Sequence, residues 1–180
     1  METTDIESLK YPVGKFHDPA IYTENLIRTW ILIIEQLPAK LRTEVHGLNE
    51  SAFDTPYRDG GWTIRQVVHH LPDCHMNAYI RFKLGLTEDM PTIRPYLEAR
   101  WAELDDSKKA PVEMSLVLLE SLHKRWVYFL KTVKPADWKR KYYHPESKRE
   151  FELHNGLALY AWHCDHHLAH ITQLKKRMGW

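Results

Sequence analysis

Apolar side chains recur at intervals of three and four residues in four long stretches of the chain, over 20–36, 63–86, 112–133 and 155–178. Residues at this spacing share one face of a helix, so the pattern predicts four amphipathic helices. Each helix has to bury its apolar face against the others. We therefore predict an all-α four-helix bundle in which residues 1–180 form a single domain.

Capping residues and prolines predict where some of these helices begin and how they run. Thr63 is a predicted N-cap of the second helix, because its hydroxyl can accept a hydrogen bond from a free amide of the first turn. Asn155 is expected to cap the fourth helix in the same way. Pro72 lies inside the second helix and removes a backbone donor there. We therefore expect a kink at Val68–Pro72, beside His70.

The segments between the long helices predict shorter features. Pro38 is expected to end the first helix, because proline has no N–H for the helical hydrogen bond. Residues 1–18 predict an irregular lead-in, and weak alternation on both sides of 144–147 predicts a small hairpin before the last helix. The remaining expectations are a short helix over 40–45, a loop over 46–61 and one or two helical turns over 96–104.

The composition excludes several classes of protein. The formal net charge is +1, so no global field favours nucleic acid or an anionic membrane. No stretch is long and apolar enough to span a bilayer, and the first ten residues lack the apolar core of a signal peptide. The two cysteines do not make a disulfide framework. We expect a cytoplasmic protein that binds neither nucleic acid nor membrane.

Histidine is unusually frequent, with 12 residues that gather in the second and fourth predicted helices. The fourth helix holds two pairs at i,i+4 spacing, His163 with His167 and His166 with His170, and this spacing lets two imidazoles reach one ion. With about 100° of turn per residue, His167 lies roughly 50° and His163 roughly 90° from the centre of the apolar stripe. His170 and His166 lie farther round, at roughly 110° and 150°, so His166 is expected nearer solvent.

On the second helix, His70 lies at the border of the apolar stripe, whereas His69 points away and His75 lies on the opposite border. One inward histidine here and two on the last helix make a candidate set of three metal ligands, His70, His163 and His167. Three neutral imidazoles that leave a coordination position open are typical of a catalytic metal site. The alternative is that these histidines are solvated or hydrogen-bonded side chains without a metal.

Neighbouring side chains are candidates for other roles. Cys74 follows His70 by four residues and is either a further ligand or a small buried hydrophobe, which is the common role of free cysteine. A hydrolytic site needs a general base, for which Asp73, His166 and His75 are candidates. Asp73 is alternatively a partner that orients a ligand imidazole.

Three motifs stand in order along the chain, and they read GGWTIRQVVHH over 60–70, TEDMPTIRPY over 87–96 and YAWHCDHHLAHI over 160–171. Together with the segment 101–104, they resemble the YfiT branch of the DinB/YfiT-like superfamily. The resemblance covers most of the chain from about residue 12. Pro72 departs from it, because the branch normally carries a residue there that is compatible with a helix.

The resemblance implies an up-down-down-up four-helix bundle, often dimeric, that holds one divalent zinc or nickel ion on three histidines. Matched by motif, these are His70, His163 and His167. Members of this branch have been called metal-dependent hydrolases, and close relatives are thiol S-transferases that use bacillithiol, a low-molecular-weight thiol. The expected partners are therefore a small-molecule thiol, an electrophile and a second copy of the chain in a homodimer.

Three functions remain open from the sequence. The first is transfer of a bacillithiol-like thiol to an electrophile, with the metal stabilising the thiolate and Arg65, Arg81 or Arg100 pairing with carboxylates of the thiol. The second is hydrolysis of an amide or ester by metal-bound hydroxide. The third is a non-catalytic helical interaction or metal-storage module.

Overall fold

The computed structural model describes residues 6–180, and four long helices dominate it, so the predicted four-helix bundle is confirmed. The helices are α1 (Ile6–Lys10), α2 (Glu24–Val45), α3 (Glu50–Phe53), α4 (Ile64–Thr87), α5 (Glu98–Trp101), α6 (Asp105–Lys109), α7 (Val112–Leu130) and α8 (Leu153–Met178). A 3₁₀ helix (Pro135–Lys139) and two short strands, β1 (Lys141–His144) and β2 (Arg149–Glu152), lie between α7 and α8.

Contacts near both ends of the long helices fix their directions. α2 runs parallel to α8, as the contacts Tyr22–His154 and Glu44–Lys175 show. α4 runs parallel to α7, as the contacts His69–Ser115 and His75–His123 show. The first pair is antiparallel to the second, as the contacts Arg42–Glu113 and Glu35–Lys131 show. The bundle therefore has the up-down-down-up topology that the resemblance implies.

The small hairpin before the last helix is confirmed. β1 and β2 pair antiparallel, with Lys141 opposite Glu152 and His144 opposite Arg149. The backbone of Lys148, in the connection, is left-handed at φ 51°, which reverses the chain within a few residues. The hairpin lies beside α4 and α8 and contributes residues of β1, β2 and their connection to the cavity described below.

The predicted cap at Thr63 is confirmed. Its hydroxyl accepts a hydrogen bond from the backbone amide of Gln66, and the Gln66 side-chain oxygen accepts one from the Thr63 amide. The cap predicted at Asn155 is wrong by three positions, because Glu152 caps α8 and Asn155 lies at the third helical position. Since β2 leads directly into the helix, α8 begins earlier than the apolar pattern alone indicates.

The predicted end of the first helix at Pro38 is wrong, and so is the separate short helix over 40–45. α2 continues through the proline to Val45. An internal proline leaves the carbonyl four residues earlier, here that of Ile34, without its helical donor. His123 on α7 donates to this carbonyl through Nδ1 at 2.6 Å, so a contact from another helix offsets the loss.

The remaining predicted segments are confirmed in part. α4 continues through Pro72 without interruption, and the kink expected at Val68–Pro72 stays a prediction. The predicted loop over 46–61 contains α3, and α5 supplies the helical turn expected over 96–104. The predicted irregular lead-in contains α1, and residues 1–5 of that lead-in lie outside the described residues.

The core lies between the inner faces of the four long helices. Each of them contributes side chains that are fully or almost fully removed from solvent, among them Ile34, Phe82, Leu119, Trp126 and Leu157. Burying one such side chain is worth about 1.5–3 kcal/mol, so this core supplies the main driving force for the bundle. Within residues 6–180, none of the helices combines the length and the apolar character that crossing a membrane requires.

Candidate metal centre

The antiparallel packing of α4 against α8 brings together the three histidines that the sequence nominates as ligands. His70 Nε2 lies 3.2 Å from His163 Nε2. The ring centroid of His167 lies 4.8 Å from that of His70 and 4.4 Å from that of His163. His70 and His167 are buried, and His163 is partly exposed. The rings of two different helices therefore converge on one region inside the bundle.

A cavity of about 580 Å³ adjoins these three rings. Its wall is built by α4, α8, the hairpin, the N-terminal segment and the segments that precede α4 and begin α5. Besides the three histidines, the wall includes Trp62, Cys74, Arg81, Glu98 and Tyr160. A space of this size with a few polar groups on a largely aromatic wall is typical of a small-molecule site.

The separations between donor atoms fit a divalent metal ion. Tetrahedral zinc, with Zn–N bonds of about 2.0–2.1 Å and a Zn–S bond of about 2.3 Å, separates two ligand nitrogens by about 3.4 Å and a nitrogen from a sulfur by about 3.6 Å. The His70 and His163 Nε2 atoms are 3.2 Å apart, and Cys74 Sγ lies 3.5 Å from His163 Nε2. The candidate ligand atoms of these three residues all lie within 4.8 Å of one another. The separations of His163 Nε2 from His70 Nε2 and from Cys74 Sγ therefore suit an ion, with Cys74 placed to add a thiolate.

His167 belongs to a second close group of donors, together with His166 and His170. The Nδ1 atoms of all three are buried and have no hydrogen-bond partner among residues 6–180. His166 is only 8% exposed and stacks on Trp162, so the expectation that it lies nearer solvent is wrong. The N-terminal segment covers this face of α8, with the Tyr11 ring 6.1 Å from that of His166, and a helical wheel cannot detect such a cover.

Burial keeps the candidate ligands neutral. Loss of solvent, reinforced by the nearby His166, lowers the pKa of His70 to about 3. Burial also lowers the pKa values of His163 and His167 well below the ordinary value, and the neighbouring imidazoles add to the effect. A metal binds the neutral form of imidazole, so these rings are in the form that ligation requires at neutral pH.

His75 and His69 are both buried, but neither lines the cavity in the described part of the chain. His75 Nε2 lies 3.1 Å from His163 Nδ1. This position makes His75 a hydrogen-bond partner of a candidate ligand and does not bring it to the cavity. His69 points away from the cavity and bonds to Ser115 Oγ at 2.7 Å and to the Ala110 carbonyl at 3.1 Å.

Of the two other candidates for a catalytic role, the structure brings only His166 to the cavity. The cavity wall, as built from residues 6–180, does not include Asp73. Partial burial and the nearby Asp106 of α6 raise the pKa of Asp73 to about 6. The alternative role of Asp73 as a partner of a ligand imidazole also finds no support at His163, whose Nδ1 is hydrogen-bonded to His75.

Among the arginines nominated from the sequence, Arg81 is the one in the cavity wall. It donates to Tyr160 Oη at 2.9 Å, and its Nε is buried without a partner in the described chain. Arg65 is engaged by two carboxylates on and after α3. Arg100 lines a different surface pocket.

Sequence reasoning missed Glu98, at the first position of α5. Its side chain lies in the cavity wall, and partial burial raises its pKa while Arg81 acts in the opposite direction. The only signal available was its position two residues after Tyr96, the last residue of the second motif. Neither helical periodicity nor ligand spacing applies to an irregular connection, so its approach to α4 was not predictable.

Comparisons with known proteins bear on this geometry. The family model of the DinB superfamily matches residues 33–171. "Putative metal-dependent hydrolase YfiT" of Bacillus subtilis (strain 168) is 52% identical over 173 residues, which cover 96% of this chain and 97% of that protein. A relative from Bacillus mycoides (strain KBAB4), also described as a "Putative metal-dependent hydrolase", is 53% identical over 175 residues, or 97% of this chain and all of that protein.

A solved structure supports the same assignment. YfiT from Bacillus subtilis, described as "a probable metal-dependent hydrolase with an unusual four-helix bundle topology", matches with a TM-score of 0.94 at 52% identity. The match covers 96% of this chain and 99% of that one. The fold and the motif resemblance are thereby confirmed, and the chain belongs to the DinB superfamily.

Proposed function

We propose that this chain is a metal-dependent enzyme that transfers a small anionic thiol, of the bacillithiol type, to an electrophile. Its metal ligands are His70, His163 and His167, with zinc or nickel as the ion. The observation that carries the proposal is the convergence of these imidazoles on a cavity of about 580 Å³ that also has a cationic wall. When bound, the ion would act as a Lewis acid that lowers the pKa of a coordinated thiol.

The cationic wall supports an anionic thiol over a neutral one. Arg81, Arg58 and Lys10 all line the cavity. Arg81 has a buried Nε without a partner in the described residues, so its guanidinium retains a donor for a ligand. A guanidinium binds a carboxylate through two parallel charge-assisted hydrogen bonds, which orients the bound molecule as well as attracting it.

The aromatic part of the wall packs around the imidazoles. The Trp62 ring lies 4.7 Å from the His70 ring and 6.2 Å from the His167 ring, measured between centroids. The Tyr160 ring lies 6.1 Å from that of His163. Packing of this kind restricts the rotamers of the three histidines before a ligand arrives, which favours ligation.

Glu98 and the relatives' description favour hydrolysis of an amide or ester as a second candidate. A carboxyl group with a raised pKa in the wall of the same cavity is suited to act as a general base near neutral pH. The YfiT proteins are described as hydrolases, and their similarity to this chain extends over nearly the whole length. In this alternative Glu98, rather than Asp73, accepts the proton of the attacking water.

The decisive experiment mixes zinc-loaded protein with bacillithiol and a fluorogenic electrophile. We expect a rate acceleration that His163→Ala abolishes. Arg81→Met should raise KM for the thiol about 10–100-fold, since it removes charge-assisted hydrogen bonds worth about 1.5–3 kcal/mol. Arg100→Met is the matched control, because Arg100 lies at a different pocket, and it should leave KM unchanged.

Two other outcomes would contradict thiol transfer. Turnover of an ester panel without acceleration by any thiol, lost in Glu98→Gln, would establish hydrolysis instead. If metal analysis of purified protein finds no divalent ion and added zinc does not bind, both enzymatic functions are wrong and a non-catalytic helical module remains.

A further inference from the structure

A chain of hydrogen bonds crosses the bundle behind the candidate metal centre and uses one residue from each long helix. His163 Nδ1 on α8 lies 3.1 Å from His75 Nε2 on α4. His75 Nδ1 lies 2.7 Å from His123 Nε2 on α7. His123 Nδ1 lies 2.6 Å from the carbonyl oxygen of Ile34 on α2. His75 and His123 are both almost completely buried, at 0% and 2% exposure.

The far end of this chain is fixed by the proline inside α2. Because Pro38 has no N–H, the Ile34 carbonyl lacks the hydrogen bond that residue i+4 of a helix normally donates. Ile34 is fully buried, so this carbonyl cannot turn to water. An unpaired buried carbonyl is costly, and the His123 ring is the group that satisfies it. A carbonyl can only accept, which requires the hydrogen of His123 to be on Nδ1.

We infer that Pro38, His123 and His75 together set the tautomer of His163, so that its Nε2 lone pair faces the cavity. With its hydrogen on Nδ1, neutral His123 accepts at Nε2, and His75 must then donate from Nδ1. His75 in turn accepts at Nε2 and His163 donates from Nδ1. The only lone pair left on the His163 ring is on Nε2, the atom that lies 3.2 Å from His70 Nε2 and 3.5 Å from Cys74 Sγ.

His75 and His123 are thus positioning residues for a metal ligand, and this role rests on the proposed metal centre. Metal-binding histidines usually donate their second ring N–H to a partner that fixes tautomer and orientation. That partner is commonly a carboxylate, a carbonyl or water. Here two further imidazoles transmit the preference of a backbone carbonyl across three helix interfaces. The hydrogen-bond polarity is built in before any ion binds.

The first test is therefore made on metal-free protein. Long-range ¹H–¹⁵N spectra of the imidazole groups report which ring nitrogen carries the hydrogen. We expect the Nδ1–H tautomer for His75, His123 and His163 at pH 7.5. Finding the Nε2–H tautomer at any of the three overturns the inference. Because no ion takes part, this result does not depend on whether the protein is an enzyme.

The second test interrupts the chain of hydrogen bonds by substitution and measures zinc affinity by chelator competition. His123→Leu should lower the affinity about 10–100-fold, the usual effect of losing a partner of a metal ligand, and should release the tautomer preference of His163. His123→Gln retains an acceptor and a donor and should lose less. His69→Leu is the matched control, since His69 is also buried and hydrogen-bonded to the α7 side but takes no part in the chain of hydrogen bonds. It should destabilise the fold without lowering zinc affinity.

The outcomes separate this inference from the proposed function. Equal zinc affinity in His123→Leu and the wild type would show that the chain of hydrogen bonds is only structural. The same conclusion would follow if His69→Leu lost as much zinc affinity as His123→Leu. Absence of zinc binding in the wild type together with three Nδ1–H tautomers would refute the metal centre and leave the hydrogen-bond polarity established.

Discussion

Two groups of buried histidines lie next to each other in this bundle, and they differ in how their ring nitrogens are satisfied. In the chain of hydrogen bonds that crosses the bundle, both ring nitrogens of His75 and of His123 have hydrogen-bond partners. In the group on α8, the Nδ1 atoms of His166, His167 and His170 are equally buried but have none in the described structure. Both groups consist of buried histidines, and the partners of their ring nitrogens differ.

This difference separates positioning from binding. A buried nitrogen without a partner costs about 1–3 kcal/mol, and such costs concentrate at sites where a ligand supplies the missing contact. His170 illustrates the point, because its Nε2 donates to the Lys10 carbonyl at 3.2 Å and its Nδ1 lone pair is left free. The partnered rings are fixed by the fold, whereas the unpartnered rings retain acceptors for an ion or a substrate.

Removing His163, the one ring that belongs to both the candidate ligand set and the chain of hydrogen bonds, should have the largest effect. In His163→Ala we expect zinc content to fall from one ion per chain to almost none. The loss of affinity should exceed the about 10–100-fold that follows from losing an outer partner. Elemental analysis and chelator competition measure it. His17→Ala, at an exposed position, is the control, and an unchanged zinc content in His163→Ala would show that His163 is not a ligand.

Acidification tests how deeply the two groups are buried. Burial lowers the pKa of His123 to about 4 and that of His170 to about 3, below the ordinary value of 6.5. At pH values between the lowered pKa of each ring and 6.5, the unfolded chain binds more protons than the folded one. The stabilisation is therefore fully present above pH 6.5 and decreases as the pH falls. Each such histidine contributes about 1.4 kcal/mol per pH unit.

The measurement is urea unfolding of metal-free protein from pH 7.5 to pH 4.5. We expect a constant free energy of unfolding above pH 7 and a decline below pH 6.5 that is shallower in His123→Leu. The raised pKa of Asp73 acts in the opposite direction, because the folded state binds that proton more tightly. A free energy that does not change down to pH 4.5 would show that these rings are solvated.

The two cysteines sharpen the comparison, since both are buried but only Cys74 approaches the candidate ligands. If Cys74 adds a thiolate, the cobalt-substituted protein should show a sulfur-to-metal charge-transfer band that Cys74→Ala removes. Zinc affinity should fall about tenfold, or about 1.4 kcal/mol. Cys164→Ala should lower stability and leave the spectrum intact. Persistence of the band in Cys74→Ala would exclude Cys74 as a ligand.

Asp73→Asn should have the smallest effect. Its side chain is outside the cavity wall, so zinc content and turnover should stay close to those of the wild type. Because burial disfavours its charged form, stability at pH 7.5 should be equal or slightly higher. Metal analysis and thermal unfolding check this, and a tenfold loss of turnover would restore Asp73 as a catalytic candidate.

Local patterns were sufficient for much of the architecture. The four helices follow from apolar periodicity, and the cap at Thr63 from side-chain chemistry three residues away. The faces of α4 and α8 that carry His70, His163 and His167 follow from helical geometry, since a wheel needs only the position of the apolar stripe. Each of these inferences depends on residues that are close along the chain.

The sequence by itself therefore determined the bundle, its small hairpin and the three histidines nominated as ligands. Only the tertiary structure decided that α2 continues through Pro38, that His166 is covered by the N-terminal segment, and that Glu98 reaches the cavity. The reason is physical: a buried polar atom takes its partner from whatever packs against it. His123 and the Ile34 carbonyl, 89 residues apart, meet only after the helices have assembled.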